Sequence, residues 1–579
     1  MHLPYRSVVF TKARIVTGLL DLWVAPSAIM TPLGSFRMLV AGWAAICAVA
    51  IAPPASAKEA LPSPVVETAD GPVRGTVTAS ISTFLGIPYA APPVGSLRWM
   101  PPQAPAPWTA PLDAIQFGSE CPQSGSTDED CLFLNVYVPT KALEPRGHRF
   151  FPVMVWVHGG AFIEGAGSQF DPTKLVTTGN VVVVTINYRL GALGFLAHPA
   201  LSAESPVGAS GNYGIMDQQF AMQWVKRNIA AFGGDPRNVT IFGESAGGLS
   251  MFANLVSPQA KDLFQRVIIE SGSYSIKLST LAGAEANGTT LGNEVGCSDQ
   301  SADCLRGVPV KTILNNQGTI AGLIGFGLTP NVDGYVLPQS IDTALSSGSF
   351  NRVPVIDGTN HDEFRLFVAL IFDLGSGPIT ADEYPGLIGL YGGSNAAAML
   401  AEYPLSDYLS PDLAFATLVT DDVFSCQALE ADTWMAKFTE TRAYEFADEN
   451  APSFLPPVSF PYGASHSFEL PYLFNLAYFS PTFTAAQQQL SDRMIRAWTN
   501  FAKDGDPGRG WEPLSRSGDG FFELLAPPLP KREEAAGFSA DHFGDDFFES
   551  LLPRFPKPEK AAAFSADHKC SFWQSLPAE

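Results

Sequence analysis

The fold is decided by the stretch Val239-Thr-Ile-Phe-Gly-Glu-Ser-Ala-Gly-Gly248. Its first four residues are typical of a short buried strand, and a helix of small residues is predicted to begin at Gly248. Between them lies a G-x-S-x-G pentapeptide, in which small neighbours allow a very tight turn. The turn would hold Ser245 under backbone strain above the end of the sheet, with a helix N-terminus beneath it. We therefore predict that Ser245 is a catalytic nucleophile.

The flanking sequence alternates between strand and helix patterns. An amphipathic helix is predicted between Asp217 and Ile229. Strands are predicted at 132–138, 151–157, 181–186 and 266–270. Those at 151–157 and 181–186 are continuous apolar blocks, typical of strands buried on both faces of a parallel sheet. Together they predict an α/β-hydrolase fold, with a central, mostly parallel sheet flanked by helices. No change in composition divides residues 58–579, so we expect a single large domain.

A glycine-rich loop follows the strand predicted at 151–157. It reads His158-Gly-Gly-Ala-Phe162 and resembles the H-G-G-[GA] loop that follows the third strand of such enzymes. A serine nucleophile needs N–H donors for the oxyanion of its tetrahedral intermediate, and small residues leave these groups uncovered. We predict that the N–H groups of Gly160, Ala161 and Ala246 form the oxyanion hole.

The general base is expected to follow Ser245 and the acid in the chain. The histidines after Ser245 are His361, His466, His542 and His568. His542 and His568 are copies of each other in a repeated segment, and His361 stands two residues before the best candidate acid. His466 lies in a loop of small polar residues, so we predict that His466 is the base.

Three carboxylates follow the strand predicted at 353–356. They are Asp357, Asp362 and Glu363. The carboxyl end of a strand is where this fold places its catalytic acid. Glu363 is the first choice and Asp362 the second, since spacing alone does not separate them.

These motifs resemble the type B carboxylesterase/lipase family, whose relatives include cholinesterases and bacterial para-nitrobenzyl esterases. The matching stretches span nearly all of the chain after residue 57 and lie at 84–99, 129–136, 158–162, 187–191, 211–218, 232–236, 243–248, 360–363, 463–474 and 570–573. The resemblance implies a carboxylic ester hydrolase with Glu363 as its acid, and with Ser271 and Glu244 next to the triad. It implies a small-molecule ester as substrate, and neither a cofactor nor a metal is expected.

Cysteine usage also fits an exported member of this family. Six cysteines follow residue 57, an even number that favours disulfides, and their spacing does not suggest a zinc site. The resemblance implies the pairs Cys121–Cys131, Cys297–Cys304 and Cys426–Cys570. Because the loop between Cys121 and Cys131 is much shorter than in cholinesterases or fungal lipases, we expect no choline site, no lid and an open gorge.

The N-terminus resembles a secretory signal. Arg37 precedes an apolar run at 38–51, and Ala55-Ser-Ala57 forms a cleavage site. We expect translation to start at Met30 or Met38 and cleavage after Ala57, giving a secreted or periplasmic protein. The apolar run is too short for a stable membrane anchor.

Charge and repeats complete the sequence analysis. The net charge of −22 argues against nucleic-acid partners, and a monomer is favoured. A 26-residue tandem duplication spans 517–568, so that Phe-Ser-Ala-Asp-His542 recurs as Phe-Ser-Ala-Asp-His568. Two copies are too few for a solenoid, so we interpret the duplication as a surface excursion.

Other functions are compatible with parts of this pattern. A lipase, a natural-product or xenobiotic esterase and an amidase could all use the same triad. A non-catalytic adhesion relative could share the fold, but such proteins have generally lost the serine, which this chain keeps.

Overall fold

The computed structural model describes residues 63–144, 150–318, 328–528 and 555–577. The N-terminal extension and predicted signal at 1–57 lie outside these residues. So does the middle of the duplicated segment, including His542.

Sixteen strands are formed by the described residues. They are β1 (Val65–Glu67), β2 (Pro72–Arg74), β3 (Thr76–Val77), β4 (Ile81–Pro88), β5 (Leu112–Asp113), β6 (Phe133–Pro139), β7 (Phe151–Val157), β8 (Phe170–Asp171), β9 (Val182–Ile186), β10 (Gly234–Glu244), β11 (Arg266–Glu270), β12 (Val355–Asn360), β13 (Thr441–Phe446), β14 (Asn475–Leu476), β15 (Phe521–Leu525) and β16 (Glu559–Lys560).

The α-helices flank the strands along the chain. They are α1 (Thr173–Gly179), α2 (Gly191–Phe195), α3 (Pro199–Glu204), α4 (Tyr213–Asn228), α5 (Ala246–Val256), α6 (Leu281–Glu294), α7 (Ala302–Gly307), α8 (Val310–Asn316), α9 (Ile341–Ser347), α10 (Arg365–Val368), α11 (Tyr384–Gly392), α12 (Ala396–Glu402), α13 (Pro411–Val419), α14 (Cys426–Ala436), α15 (Leu470–Leu473), α16 (Ala485–Asp504), α17 (Ala561–Asp567) and α18 (Cys570–Ser575). Two π-helical segments follow α10 and α13, at Ala369–Ser376 and Thr420–Ser425.

One large mixed sheet organises the domain. Within the described part of the chain its strand order is β16-β15-β13-β12-β11-β10-β7-β9-β6-β4-β3. All neighbours from β15 to β9 are parallel, and the strands beyond them are antiparallel. This confirms the predicted α/β-hydrolase fold with a central, mostly parallel sheet in a single domain.

The central strands are buried because helices cover both faces of the sheet. Every residue of β9 is buried, as its continuous apolar block predicted. All of β12 is buried as well, and so is β11 apart from its first residue. Trp156 of β7 contacts Phe170, Phe242 and Phe474, with ring centroids 4.6–5.2 Å apart. Large aromatic side chains thus fill the space below the catalytic ends of the strands.

Two predicted boundaries were wrong. The helix after Ser245 begins at Ala246 and not at Gly248, because the strand ends at Glu244 and Ser245 alone makes the turn. The strand predicted at 353–356 spans Val355–Asn360. Asp357, one of the candidate acids, therefore lies inside a buried strand and not in the loop beyond it.

The three disulfides have the predicted pairing, Cys121–Cys131, Cys297–Cys304 and Cys426–Cys570. Cys426–Cys570 joins residues 144 positions apart, and Cys297–Cys304 joins residues seven apart. On the chain-entropy model the long loop contributes about 5 kcal/mol and the short one about 2 kcal/mol. Cys426–Cys570 is therefore the main covalent constraint on the C-terminal segment. No described helix is long and apolar enough to cross a bilayer.

The two copies of the duplicated segment contribute different elements. The first copy supplies β15, and the second supplies β16 and α17, which cover the edge of the sheet. Phe564 of α17 is fully buried and stacks on Phe522 of β15, with ring centroids 4.2 Å apart. The first copy thus provides a strand of the sheet, and the second provides the edge strand and the helix that pack on it.

Substituting the matched phenylalanines of the two copies tests this assignment. Phe564→Ala should lower the free energy of unfolding by about 3 kcal/mol, because it leaves a cavity under β15. Phe538→Ala changes the same position of the first copy and should leave stability unchanged. Chemical denaturation followed by tryptophan fluorescence measures both. Equal losses, or a loss in Phe538→Ala alone, would contradict the assignment.

Candidate active site

Ser245 occupies a strained turn between β10 and α5. Its φ of 56° and ψ of −118° lie outside the regions that non-glycine residues favour. A Cβ on Gly247 would lie 2.0 Å from the carbonyl oxygen of Val157, and one on Gly243 would lie 2.6 Å from the same oxygen. Only glycine fits at either position. The N–H of Ser245 donates to the carbonyl of Glu270 at 2.9 Å, which fixes the turn on the neighbouring strand.

The glycine-rich loop packs directly against this turn. A Cβ on Gly159 would lie 3.1 Å from the Cβ of Ser245. Gly160, Ala161 and Phe162 all have positive φ, at 99°, 53° and 62°. The N–H groups of Gly160 and Ala161 donate to no acceptor in the described residues. Ala246 is the first residue of a helix, so its N–H has no acceptor within that helix. These three donors are therefore available beside the serine for an oxyanion.

His466 and Glu363 form a buried pair. His466 Nδ1 lies 2.5 Å from Glu363 Oε2. The other oxygen, Oε1, accepts hydrogen bonds of 2.8 Å from Thr359 Oγ1 and from the N–H of Asn360. Because both carboxylate oxygens are engaged and the residue is fully buried, Glu363 is held in one orientation. A carboxylate on Nδ1 fixes the imidazole tautomer that leaves Nε2 free to accept a proton.

Glu244 lies on the other side of the imidazole. Its Oε1 is 3.1 Å from His466 Nε2 and accepts a hydrogen bond of 2.6 Å from Ser467 Oγ. Ser245 Oγ forms no hydrogen bond to any described residue. In this geometry Nε2 therefore lies against Glu244, and no hydrogen bond joins it to Ser245 Oγ. Such catalytic hydrogen bonds commonly tighten only when substrate binds.

The two carboxylates control the pKa of the base. Burial lowers the pKa of His466, but the charges of Glu244 and Glu363 outweigh burial and raise it above the ordinary value of 6.5. Burial in turn raises the pKa of Glu244, although His466 and Ser467 stabilise its carboxylate. A protonated imidazole at His466 is thus stabilised from both sides.

Two phenylalanines flank the imidazole. Their ring centroids lie 5.1 Å (Phe367) and 5.3 Å (Phe424) from that of His466. Phe424 belongs to a π-helical segment, and Phe367 lies in the short helix that precedes the other one. Such segments are frequent at functional sites. The sequence singles out neither residue, since one phenylalanine among 40 carries no signal.

The structure separates Glu363 from its rival Asp362. The carboxylate of Asp362 lies 2.8 Å from Arg365 and accepts a hydrogen bond of 2.9 Å from the N–H of Ala464. Asp362 therefore supports the loop that carries His466, and Glu363 contacts the imidazole itself. Thr359, which also holds Glu363, was missed because a single threonine in a strand has no distinctive pattern.

Ser271 lies one strand away from the triad. It is fully buried with a φ of 53°, and its N–H donates to the carbonyl of Gly358 at 2.8 Å. Its Oγ has no hydrogen-bond partner in the described residues. The carboxylate of Glu363 is held by Thr359 and Asn360 in this geometry. A supporting role for the Ser271 hydroxyl stays a prediction.

Comparison with known proteins agrees with this geometry. Residues 62–536 match the model of the carboxylesterase family. The chain belongs to this family. It is 36% identical over 498 residues to the fumonisin B1 esterase of Sphingopyxis macrogoltabida, covering 81% of this chain and 88% of that protein. It is also 36% identical over 473 residues to the para-nitrobenzyl esterase of Bacillus subtilis, covering 76% and 90%.

A solved structure extends the likeness to three dimensions. A thermophilic pNB esterase superposes with a TM-score of 0.68 at 33% identity, covering 80% of this chain and 96% of that one. The chain is accordingly a carboxylic ester hydrolase of the α/β-hydrolase fold. The family resemblance drawn from the sequence is confirmed.

The electrostatics of the site predict a specific pH dependence. Because the base must be neutral to accept a proton, activity should be lost as the pH falls through the raised pKa of His466. Glu244→Gln removes one of the two charges that raise this pKa, so the acidic limb of the kcat/KM profile should move to lower pH. Hydrolysis of para-nitrophenyl butyrate across the pH range measures the shift.

The control is Glu294→Gln, which makes the same charge change at an exposed position at the end of α6. It should leave the acidic limb in place. An unmoved limb in Glu244→Gln, or a shift toward higher pH, would contradict the role given to Glu244.

Proposed function

We propose that this carboxylesterase acts through a triad of Ser245, His466 and Glu363 on carboxylic esters of small to medium size. The observation that carries the proposal is the buried 2.5 Å contact between His466 Nδ1 and Glu363 Oε2, next to a strained serine. An imidazole oriented by a carboxylate is the standard means of activating a serine hydroxyl.

The proposed reaction has two halves. Ser245 Oγ attacks the ester carbonyl while His466 Nε2 takes its proton, and the N–H groups of Gly160, Ala161 and Ala246 bind the oxyanion. Collapse of the tetrahedral intermediate releases the alcohol, which receives the proton from His466, and leaves an acyl-enzyme. Water, deprotonated by His466, then hydrolyses the acyl-enzyme and restores the serine. Loss of one oxyanion donor typically raises the barrier by about 3–4 kcal/mol.

The triad can be tested with Ser245→Ala and a matched control. Ser346→Ala changes an exposed serine of α9. Ser245→Ala should lower kcat/KM for para-nitrophenyl acetate and butyrate by a factor on the order of 10⁴ or more, with unchanged thermal stability. Ser346→Ala should match the wild-type protein. Full activity in Ser245→Ala would exclude this nucleophile, and no activity in the wild-type protein would favour a non-catalytic role.

We infer the preferred substrate size from the short Cys121–Cys131 loop. It spans ten positions and is too short to form a lid over the site. Short-chain esters should therefore be hydrolysed faster than para-nitrophenyl palmitate, and emulsified triglyceride should give no interfacial activation. Relatives named for fumonisin B1 and para-nitrobenzyl esters make natural-product and xenobiotic esters the second candidate class. A panel of both classes, assayed with the same enzyme, ranks them by kcat/KM.

We also propose that the protein is exported. Three disulfides and the absence of a membrane-spanning helix from the described residues are compatible with export. The exported protein should begin at Lys58, after cleavage at Ala57. N-terminal sequencing of the protein recovered outside the cytoplasm tests this, and an N-terminus at or before residue 38 would contradict it.

A further inference from the structure

A second cluster of histidine and carboxylate side chains lies apart from the triad. It is formed by His361 after β12, Glu445 in β13 and His568 after α17, and we call these three residues the His–Glu cluster. One potential ligand atom from each residue lies within 4.8 Å of the others. The proposed reaction does not use any of them.

His568 is oriented by two carboxylates. Its Nδ1 lies 2.7 Å from Asp421 Oδ1, and its Nε2 lies 2.8 Å from Glu445 Oε1. His568, Asp421 and Glu445 are all buried. If Nδ1 of a neutral His568 ring donates its hydrogen to Asp421, Nε2 carries the lone pair. That lone pair then faces the carboxylate of Glu445. Protonation of Nε2 joins the two groups in this geometry, and a cation that replaces this proton would be bound by both.

His361 repeats this arrangement. Its Nδ1 lies 3.1 Å from Asp362 Oδ1, and its Nε2 lies 3.2 Å from Asp567 Oδ2. Histidines that bind metals through one ring nitrogen commonly donate the other N–H to a carboxylate, which fixes the tautomer. Both imidazoles of the cluster therefore already have the outer carboxylate that a metal site requires.

A further carboxylate of the duplicated segment lies beside the cluster. Glu559 of β16 lies against Glu445, and its Oε1 is buried without a hydrogen-bond partner in the described residues. Arg365 pairs with Asp362 and Lys569 with Glu402, so among the described residues no arginine or lysine pairs with Glu445 or Glu559, and the basic partner of Glu445 is His568. The cluster has an excess of negative charge that a divalent cation would offset.

We propose that the His–Glu cluster binds one Zn²⁺ through Nε2 of His361, Nε2 of His568, Glu445 and Glu559. Two imidazoles and two carboxylates are a donor set that suits zinc, and four protein ligands make a closed, structural site. The side chain of His361 is 40% exposed, which gives the ion a path from solvent. The ion would tie β12 and β13 to the C-terminal segment next to Cys570.

The sequence predicted no metal site because zinc spacing is read from ligands close together in the chain. These ligands come from residues 361, 445, 559 and 568, and only the parallel pairing of β12 with β13 and the docking of the second repeat copy bring them together.

Zinc binding by the purified, chelator-treated protein tests the proposal. Isothermal titration with Zn²⁺ should give one site per chain, and His361→Asn and His568→Asn should each weaken it by about tenfold or more. The matched control is His542→Asn, which changes the same Phe-Ser-Ala-Asp-His sequence in the first copy and should bind zinc as the wild-type protein does. Ser245→Ala should also bind normally, which separates this test from that of the triad.

Co²⁺ in place of Zn²⁺ provides a second measurement. It should give the visible absorption of a four-coordinate site in the wild-type protein and not in His361→Asn, a variant of a partly exposed residue that should fold normally. The proposal would be overturned by a wild-type protein that binds no zinc, by unchanged affinity in His361→Asn, or by loss of binding in His542→Asn but not in His568→Asn.

Discussion

The contact between the turn at Ser245 and the end of β7 is the constraint on which the site depends. Gly243 and Gly247 both lie against one carbonyl oxygen, that of Val157, at distances that exclude any side chain. This contact forces Ser245 into a positive φ and sets the position of the following helix. The oxyanion loop leaves the same strand one residue later, so a single backbone contact fixes the nucleophile and its donors relative to each other.

Several carboxyl groups near the triad are buried, and burial changes their pKa values. Glu469 and Glu270 are fully buried near the triad, and burial raises the pKa of Glu469 well above its usual range and that of Glu270 to about 8. The amide of Asn360 donates to Glu469 and the indole of Trp498 donates to Glu270; each hydrogen bond lowers the pKa, but burial outweighs it. Glu363 differs because Thr359 and Asn360 both donate to it. Its other oxygen lies against His466 Nδ1, so both carboxylate oxygens of Glu363 have polar partners.

Sequence predicted the parts of the site that have a local pattern. Ser245 and the oxyanion loop each follow a strand with a distinctive glycine motif, and both were predicted from their own neighbours. His466 was predicted by chain order and exclusion. Glu363 could be separated from Asp362 only by resemblance, because both follow the same strand. Which of the two carboxylates contacts His466 is decided by the folding of distant segments and has no local pattern in the sequence.

Residues without a local pattern could not be predicted. Phe424 lies in a π-helical segment and contacts the imidazole, and no local pattern marks it. The same limit applies to the edge of the sheet, because the two repeat copies share most of their sequence. Their roles differ in the fold, because only one short strand can pair with β15 and only one helix can cover Phe522. The second copy is held next to Cys570 by its disulfide, whereas extra chain length before it costs little, since loop entropy rises by only about 0.6 kcal/mol per doubling of length. Tethering to Cys570 thus explains how the fold accepts a duplication at the edge of its sheet without a change in the register of the strands.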